Sequence, residues 1–308
     1  MARRKPPTVD GLLLVDKPAG VSSHDVVSLA RRALGEKRIG HAGTLDPFAT
    51  GLLVLLVGRA TRLLPHLPGE PKVYEATIRF GAETDTEDLL GAVVREGPLP
   101  RRRAILDAMP ALSGDIDQVP PAYSAKRVDG QRAYDLARKG EVVALKPARV
   151  RVMRWEILEL TDEDGASVAP HEPAADPRVR EARVRIMCGG GTYVRSLARD
   201  LARLAGSAAH LTQLRRTRSG PFDVADAQTL EGLRDGLARV RPALSALEGF
   251  PVQALHEEEV QRVARGIDVP AAVDGAWGAL TNGEAGALVA LAERREDRWQ
   301  PRVVMREA

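Results

Sequence analysis

The sequence has little cysteine, no long apolar run and no recognisable set of metal ligands. Its single cysteine, Cys188, excludes an intramolecular disulfide and a zinc site built from cysteines alone. No stretch approaches the ~20 apolar residues of a membrane-spanning helix, and the first residues lack the apolar centre of a signal peptide. The six histidines form no ligand motif, so we predict no metal site. We expect a cytoplasmic protein that does not bind a membrane.

Positive charge is concentrated in short arginine clusters. The formal net charge is only +3, but arginines gather at positions 101–103 and again at Arg215, Arg216 and Arg218. Such clusters suit a polyanion, because neutralising phosphates releases condensed counterions. Only seven of the 45 basic residues are lysines, and a coding bias would produce the same arginine excess. The charge pattern alone is therefore consistent with either a nucleic-acid partner or a coding bias.

Hydrophobic patterns predict an α+β fold. Four runs are typical of strands: 11–16, 52–57, 73–80 and 183–188. Helices are predicted after Ser22 or Ser23, either of which can cap the helix, and in the segment 194–204, where apolar residues recur at helical spacing. The last two strands alternate between apolar and polar residues, which favours a mixed, largely antiparallel sheet flanked by helices over a doubly wound parallel sheet.

Two changes in composition indicate the organisation of the chain. Residues 161–177 are rich in Asp, Glu, Ala and Pro without a period, which predicts a mobile surface insertion. After Phe250 a helical segment is followed by short strand-like pieces separated by Gly and Asp. We therefore predict one large domain at 1–248 and a small β-rich domain at 249–308.

A loop rich in glycine and polar residues separates the first two strands. It reads Gly-His-Ala-Gly-Thr-Leu-Asp-Pro-Phe-Ala-Thr-Gly at 40–51, and loops held between core elements often carry function. Taken alone, the loop favours an ordinary Asp-Pro turn at Asp46 over a catalytic carboxylate.

Motifs throughout residues 11–222 resemble the TruB family of tRNA pseudouridine synthases. The resemblance rests on the loop and the start of the next strand at 40–53, and on Lys-Val-Tyr at 72–74. It rests also on Leu-Val-Asp-Lys-Pro-Ala-Gly at 14–20, which is followed by Ser-Ser-His-Asp at 22–25. Three further motifs follow in the family's order, at 120–126, 191–200 and 210–216. The resemblance implies the pseudouridine synthase fold, with a PUA-like RNA-binding domain at 249–308.

The same resemblance implies that the chain isomerises the uridine at position 55 in the T-loop of tRNA, without a cofactor. Asp46 matches the catalytic aspartate, which acts as a nucleophile or as a base toward a sugar proton; the sequence leaves both routes open. A base stacked in a folded loop must be flipped outward before it can react. The expected partner is the T-arm of tRNA, and we expect a monomer with no obligate protein partner.

The resemblance assigns further residues to substrate binding. Tyr74 matches the residue that stacks on the uracil, Leu214 an apolar residue on its other side, and Arg195 the ion-pair partner of Asp46. His41 matches a residue that occupies space left by flipped nucleotides. The helical spacing places Arg199 and Arg203 on the same face as Arg195, where we expect them to face water or phosphate.

RNA contacts are expected from basic residues in three segments. The candidates are Lys17, Lys126, Arg127, Arg132, Arg215 and Arg216. Residues from about 124 to 148 match a mobile insertion that grips RNA. The resemblance also places Lys17 in a segment that supports the active-site loop. The ordinary alternatives are a solvated lysine at a strand end for Lys17 and a solvated basic helix for the insertion. For Tyr74 and Leu214 the ordinary alternative is packing in the core.

Two other functions are consistent with parts of the sequence. Gly189, Gly190 and Gly191 lie between a strand and a helix, where helix amides can hold phosphate, but they match neither dinucleotide-binding nor P-loop spacing. A non-catalytic RNA-binding module or tRNA chaperone would also explain the arginine clusters and the C-terminal domain. A product assay separates this last reading from an enzyme.

Overall fold

A computed structural model describes residues 9–124, 127–128, 131–132, 145–170, 176–283 and 286–305, with only the backbone described at 127–128 and 131–132. The chain forms two compact units. The first contains Met1–Pro47, Gly51–Gly69 and Ser219–Ala308, and the second contains Phe48–Thr50 and Glu70–Arg218. Among the described residues, no helix combines the length and apolar character needed to cross a membrane.

The described strands are β1 Gly11–Lys17, β2 Ile39–His41, β3 Thr50–Val57, β4 Lys72–Phe80, β5 Ala82–Thr84, β6 Val93–Glu96, β7 Gly114–Gln118, β8 Arg127–Val128, β9 Gln131–Arg132, β10 Ala148–Asp162, β11 Ser167–Val168, β12 Val179–Cys188, β13 Ala209–Ser219, β14 Phe222–Asp223, β15 Gln228–Thr229, β16 Val252–Leu255, β17 Val269–Pro270, β18 Trp277–Asn282, β19 Ala287–Arg295 and β20 Arg298–Val304. The described α-helices are α1 Ser23–Leu34, α2 Arg102–Ala108, α3 Val194–Leu204, α4 Leu230–Arg234 and α5 Glu257–Ala264. Short 3-10 helices cover Gly58–His66, Met109–Leu112, Val224–Asp226 and Ala243–Leu247.

In the first unit, β1 and β3 pair antiparallel with Leu14 opposite Val54, and β1 pairs parallel with β15. Both strands are apolar on both faces because both faces are covered. One face packs against α1, and the other belongs to a second cluster of buried side chains. Of the two predicted caps of helix α1, Ser22 is the one used. Ser22 and Asp25 form a reciprocal capping box, and Gly35 ends the helix at φ 63°.

The C-terminal module is a five-stranded sheet in the order β16-β18-β19-β20-β17, with α5 packed near it. One side of the module encloses the fully buried Trp299. From its other side, Ala279, Leu291 and Val303 enter the same cluster as Leu12 and Leu14 of β1. The module therefore completes the hydrophobic core beneath the first strand of the chain.

In the second unit, five strands follow the order β11-β10-β12-β4-β13, and β7 pairs with β10. The β10–β12 and β12–β4 pairs are antiparallel. The alternation predicted for β4 is confirmed, since Tyr74, Ala76, Ile78 and Phe80 are all buried. On the opposite face Arg185 pairs with Glu75 and Glu156 of the neighbouring strands. This pattern confirms the predicted α+β fold with a mixed, largely antiparallel sheet.

The irregular insertion predicted at 161–177 is partly wrong. Strand β10 continues to Asp162, and β11 pairs back onto it with Leu160 opposite Val168. The Asp162 carboxylate accepts hydrogen bonds from the backbone N–H groups of Asp164 and Ala166, which stabilises the turn between the strands. Charged residues in a tight exposed hairpin obscure the strand pattern. Residues 171–175 lie outside the described part of the chain.

Candidate active site

The residue before Asp46 is held by the beginning of α1. The hydroxyl Oγ of Ser23 accepts a hydrogen bond from the backbone N–H of Leu45 at 2.8 Å and donates one to the Leu45 carbonyl at 3.0 Å. Ser23 and Leu45 are both buried. These bonds satisfy both main-chain groups of Leu45 away from water, so Asp46 follows an anchored residue.

The residue after Asp46 is held by the segment that follows β1. The carbonyl oxygen of Pro47 accepts hydrogen bonds from Gly20 N–H at 2.8 Å and from Lys17 Nζ at 3.3 Å. Lys17 Nζ also donates to the carbonyls of Pro18 and Val21. Asp46, half-buried itself, thus lies between two neighbours with fixed backbones.

Lys17 does not fit the predicted RNA contact. Its side chain is fully buried, and its ammonium is directed at main-chain carbonyls. A buried ammonium needs such acceptors, because desolvation without hydrogen bonds would be highly unfavourable. Sequence alone gave a solvated lysine as the ordinary alternative, and that alternative is also wrong. The hydrogen bond from Lys17 to the Pro47 carbonyl agrees instead with the segment's role in supporting the Asp46 loop, which the resemblance implies.

His41 ends β2, opposite Leu55 of β3, and is partly buried. Ala42, the next residue, donates its backbone N–H to the Val54 carbonyl at 2.9 Å. The β2–β3 pairing thus fixes the entrance to the loop at 40–51. In the first unit, Lys17, His41 and Asp46 are all attached to the paired β1–β3 layer.

Tyr74 and Leu214 lie on neighbouring strands of the second unit, β4 and β13. Tyr74 is opposite Ile186 of β12, and only 8% of it is exposed. Leu214 is 6% exposed. The hydroxyl of Thr217 donates to the carbonyl of Val73 at 3.3 Å, which links the two strands beside Tyr74. Both residues have the limited exposure expected of an aromatic and an apolar wall, or of core residues.

Arg195 lies in the first turn of α3 and is 3% exposed. Its guanidinium donates from Nη1 to the Thr86 carbonyl at 2.7 Å and from Nη2 to the Tyr123 carbonyl at 2.9 Å. The entrance to the helix is fixed by buried Gln118, whose amide bonds to both the N–H and the carbonyl of Tyr193. Several segments distant in sequence therefore orient Arg195.

The prediction that Arg199 faces water or phosphate is wrong. Arg199 is 7% exposed, forms an ion pair with Glu87 and donates to the Val119 carbonyl at 2.9 Å. Burial raises the pKa of the Glu87 carboxyl, while the charge of Arg199 and a hydrogen bond from Ser196 act in the opposite direction. Arg203 is half-exposed, but it pairs with the buried carboxylate of Glu83. Helical periodicity predicted a polar face on α3, but it could not show that buried acidic residues cover this face.

The other basic residues predicted to contact RNA lie in β13 and in the segment 126–132. Arg216 is 1% exposed, which does not fit a phosphate contact at the surface. Arg215 is partly buried and donates to the Thr50 hydroxyl at a long 3.4 Å. Lys126 lies outside the described residues. Arg127 and Arg132 belong to the paired strands β8 and β9, where only the backbone is described.

Sequence reasoning missed the residues that position the site. The sequence predicts Ser23 as a possible helix cap and as part of a family motif, and it does not predict a role for Gln118 or Glu87. A signal for Glu87 was available: the polar run Thr-Asp-Thr-Glu-Asp at 84–88 begins four residues after the end of an alternating strand. Its partner in α3 is more than a hundred residues away, and local patterns cannot reveal such a contact.

The sequence of the chain matches those of known proteins over most of its length. A family model described as "TruB family pseudouridylate synthase (N terminal domain)" matches residues 31–194, and one described as "tRNA pseudouridylate synthase B C-terminal domain" matches residues 195–249. The chain is 44% identical over 301 residues to tRNA pseudouridine synthase B of Thermobifida fusca (strain YX), covering 96% of this chain and 98% of that protein. It is 43% identical to the protein of that name from Mycobacterium sp. (strain KMS), covering 97% of each chain.

A solved structure gives independent support for the fold. The chain is similar to a chain in "Structure of H/ACA RNP bound to a substrate RNA containing 2'-deoxyuridine", with a TM-score of 0.66 and 23% identity. The similarity covers 96% of this chain and 85% of the other. With the family models, these matches define the class as pseudouridylate synthases. Within that class, the chain belongs to the TruB family.

Proposed function

We propose that the chain converts uridine to pseudouridine at position 55 in the T-loop of tRNA, with Asp46 as the catalytic carboxylate. The observation that carries the assignment of Asp46 is the anchoring of both its neighbours, by Ser23 on one side and by Gly20 and Lys17 on the other. Catalysis requires a carboxylate held in a fixed place relative to the reacting sugar. A simple Asp-Pro turn does not need buried hydrogen bonds of this kind.

The reaction is an isomerisation and needs no added redox agent. The C1′–N1 bond breaks, the uracil rotates, a C1′–C5 bond forms, and the proton leaves C5 while N1 gains one. Asp46 acts either by attacking C1′ or by removing a sugar proton, and an ionised carboxylate suits both routes. We propose that Arg195 acts with Asp46 in this step, as the family resemblance implies.

Tyr74 and Leu214 are proposed to hold the flipped uracil, and His41 to occupy space that the flipped nucleotides leave. Their support is the low exposure of Tyr74 and Leu214 on adjacent strands and the position of His41 at the entrance to the Asp46 loop. Phosphate contacts from exposed basic residues would supply most of the affinity for tRNA.

The wider organisation is also proposed. Residues 1–248 form the catalytic domain, with an RNA-gripping insertion at about 124–148, and residues 249–308 form a PUA-like RNA-binding domain. We propose a monomer that works in the cytoplasm without an obligate protein partner and without a cofactor.

The function is tested by incubating the purified protein with an unmodified tRNA transcript and mapping pseudouridine along the RNA. Product at position 55, absent when that uridine is replaced by cytidine, is the expected result. Activity should persist in excess EDTA. Binding of tRNA without any product would favour the RNA-chaperone reading, and inactivation reversed by one particular metal would contradict a cofactor-free reaction.

The role of Asp46 is tested by Asp46→Asn, with Asp164→Asn in an exposed turn as the matched control. Asp46→Asn should remove product formation and leave tRNA affinity nearly unchanged, because phosphate contacts dominate binding. Asp164→Asn should behave as the wild type. Measurable turnover by a folded Asp46→Asn preparation free of contaminating enzyme would refute the assignment.

A further inference from the structure

Residues 86 and 87 connect three parts of the second unit. The Thr86 carbonyl accepts the 2.7 Å hydrogen bond from Arg195. The Glu87 carbonyl accepts one from the backbone N–H of Leu211 at 3.1 Å, in the strand that carries Leu214. The Glu87 carboxylate accepts from the Ser196 hydroxyl at 3.0 Å and pairs with Arg199 in α3. One short segment thus contacts the Arg195 side chain, the Arg195 helix and β13.

Glu87 has two features that are unfavourable for stability. It is 6% exposed, so its carboxylate has lost most of its hydration and depends on its partners. The φ angle of Glu87 is 60°, which lies in the left-handed region of the backbone. Residues other than Gly, Asn and Asp rarely adopt this conformation. Strained and desolvated residues concentrate at functional sites, where the surrounding structure holds them in place. An ordinary structural ion pair would not require both features in one residue.

We propose that Glu87 is a positioning residue that sets the direction of the Arg195 guanidinium. Its carboxylate binds α3 at two places: it accepts a hydrogen bond from Ser196, which is next to Arg195, and it forms an ion pair with Arg199, one helical turn later. The peptide bond between Thr86 and Glu87 presents the carbonyl that receives Arg195. These contacts fix the position of α3 relative to the Thr86 carbonyl, so α3 cannot rotate or slide away from Thr86. This inference rests on the proposed function and concerns Arg195 within that reaction.

The chain provides a matched control for a purely structural role. Glu83, in β5, is also 6% exposed, and its carboxylate pairs with Arg203 on the same helix. Arg203 lies eight residues beyond Arg195, roughly 12 Å along the helix axis. A variant at Glu83 therefore removes a similar buried carboxylate from α3 at a distance from the Arg195 guanidinium.

The experiment compares Glu87→Gln, Ser196→Ala and Glu83→Gln with the wild type at a temperature where each protein is folded. Single-turnover pseudouridine formation at saturating tRNA and the dissociation constant for tRNA are measured for each. Glu87→Gln should slow the reaction by about 10- to 100-fold, since a small misplacement of a reacting group has effects of this size. Ser196→Ala removes one hydrogen bond and should slow it by about threefold. Glu83→Gln should keep the wild-type rate, and tRNA affinity should stay nearly constant throughout.

The outcomes separate the inference from the proposed function. Loss of rate in Glu87→Gln but not in Glu83→Gln supports positioning, and equal rates in both variants overturn it. If Glu87→Gln does not fold, Ser196→Ala decides, because an unchanged rate in that variant overturns the proposal and a reduced rate supports it. A wild-type protein that makes no pseudouridine refutes the proposed function instead.

Discussion

The segment around Asp46 and the helix that carries Arg195 are held in place by different physical means. Near Asp46, the neighbouring main-chain groups bond to the Ser23 hydroxyl, to Gly20 N–H and to the Lys17 ammonium. Around α3, buried carboxylates and guanidinium groups pair with each other and with distant carbonyls. In the first arrangement a hydroxyl, a backbone N–H and a buried ammonium bond to main-chain groups, and in the second several charged side chains lie together.

This difference has consequences for stability and for sequence interpretation. The partners around Asp46 come from two short segments, 17–25 and 45–47, which both belong to family motifs. The partners of Arg195 and its helix are scattered from Glu83 to Tyr123. Breaking one member of a buried charged group leaves another charge unpaired, whereas losing one neutral hydrogen bond has a smaller effect. Four predictions test this contrast.

Removal of the C-terminal module should have the largest effect. A chain that ends at Glu248 loses Leu291 and Val303, which belong to the same buried cluster as Leu12 and Leu14. The loss of several buried aliphatic contacts should lower the free energy of unfolding by more than about 5 kcal/mol, which is comparable to the total stability of a domain. Circular dichroism and urea unfolding should show an unfolded or severely destabilised protein.

A pair of point variants in β19 provides the control for the truncation. Leu291→Ala faces the cluster shared with β1, and Val289→Ala faces the interior of the module. Only Leu291→Ala should also weaken the structure around Asp46, measured as faster hydrogen exchange in β1. Cooperative unfolding of the truncated chain at the wild-type urea midpoint would show that β1 is stable without the module.

The second prediction concerns Arg195→Lys. An ammonium keeps the charge but cannot bond to the Thr86 and Tyr123 carbonyls with the planar fork of a guanidinium. We expect the single-turnover rate to fall by about 100-fold, while tRNA affinity changes little. Arg203→Lys, which alters the half-exposed partner of Glu83, serves as the control. Full turnover in Arg195→Lys would show that its charge alone is sufficient.

The third prediction tests the neutral contacts near Asp46 with Ser23→Ala. The change leaves the buried N–H and carbonyl of Leu45 without their Ser23 partner, and should lower the free energy of unfolding by about 1–3 kcal/mol. Urea unfolding measures this loss, and Ser22→Ala, which removes the exposed helix cap, is the comparison. A larger loss in Ser22→Ala than in Ser23→Ala would contradict the importance assigned to this contact.

The smallest expected effect is a pH dependence due to Cys188, which precedes the glycines leading to α3. Burial raises the pKa of the Cys188 thiol to about 11. Above pH 9 the unfolded chain releases this proton while the folded chain retains it, so stability falls as pH rises. Between pH 8 and 10 the loss should be ~1.3 kcal/mol. Urea midpoints under reducing conditions should show this part of the decline in the wild type and not in Cys188→Ala; equal declines would contradict the assignment.

Periodicity and motifs in the sequence were sufficient to predict the elements that carry the site. The apolar runs of β1 and β3 and the alternation of β4 and β12 depend on neighbouring residues, and all are present. A serine cap was predicted for α1 without a choice between Ser22 and Ser23, and the apolar stripe of α3 is buried except at Leu204. The order of motifs along the chain was likewise sufficient to indicate the TruB family, to which the chain belongs. Local physical chemistry and a linear pattern determine these features.

Tertiary structure alone decided where the charged residues lie. Lys17 is surrounded by carbonyls of its own strand end and of the Asp46 loop, and Arg199 meets a carboxylate more than a hundred residues away. A cation at the end of a strand or on the polar face of a helix has the same local pattern whether water or a buried partner covers it. Its burial depends on which distant acceptors the fold brings close enough to compensate for desolvation, and those contacts exist only after the chain has folded.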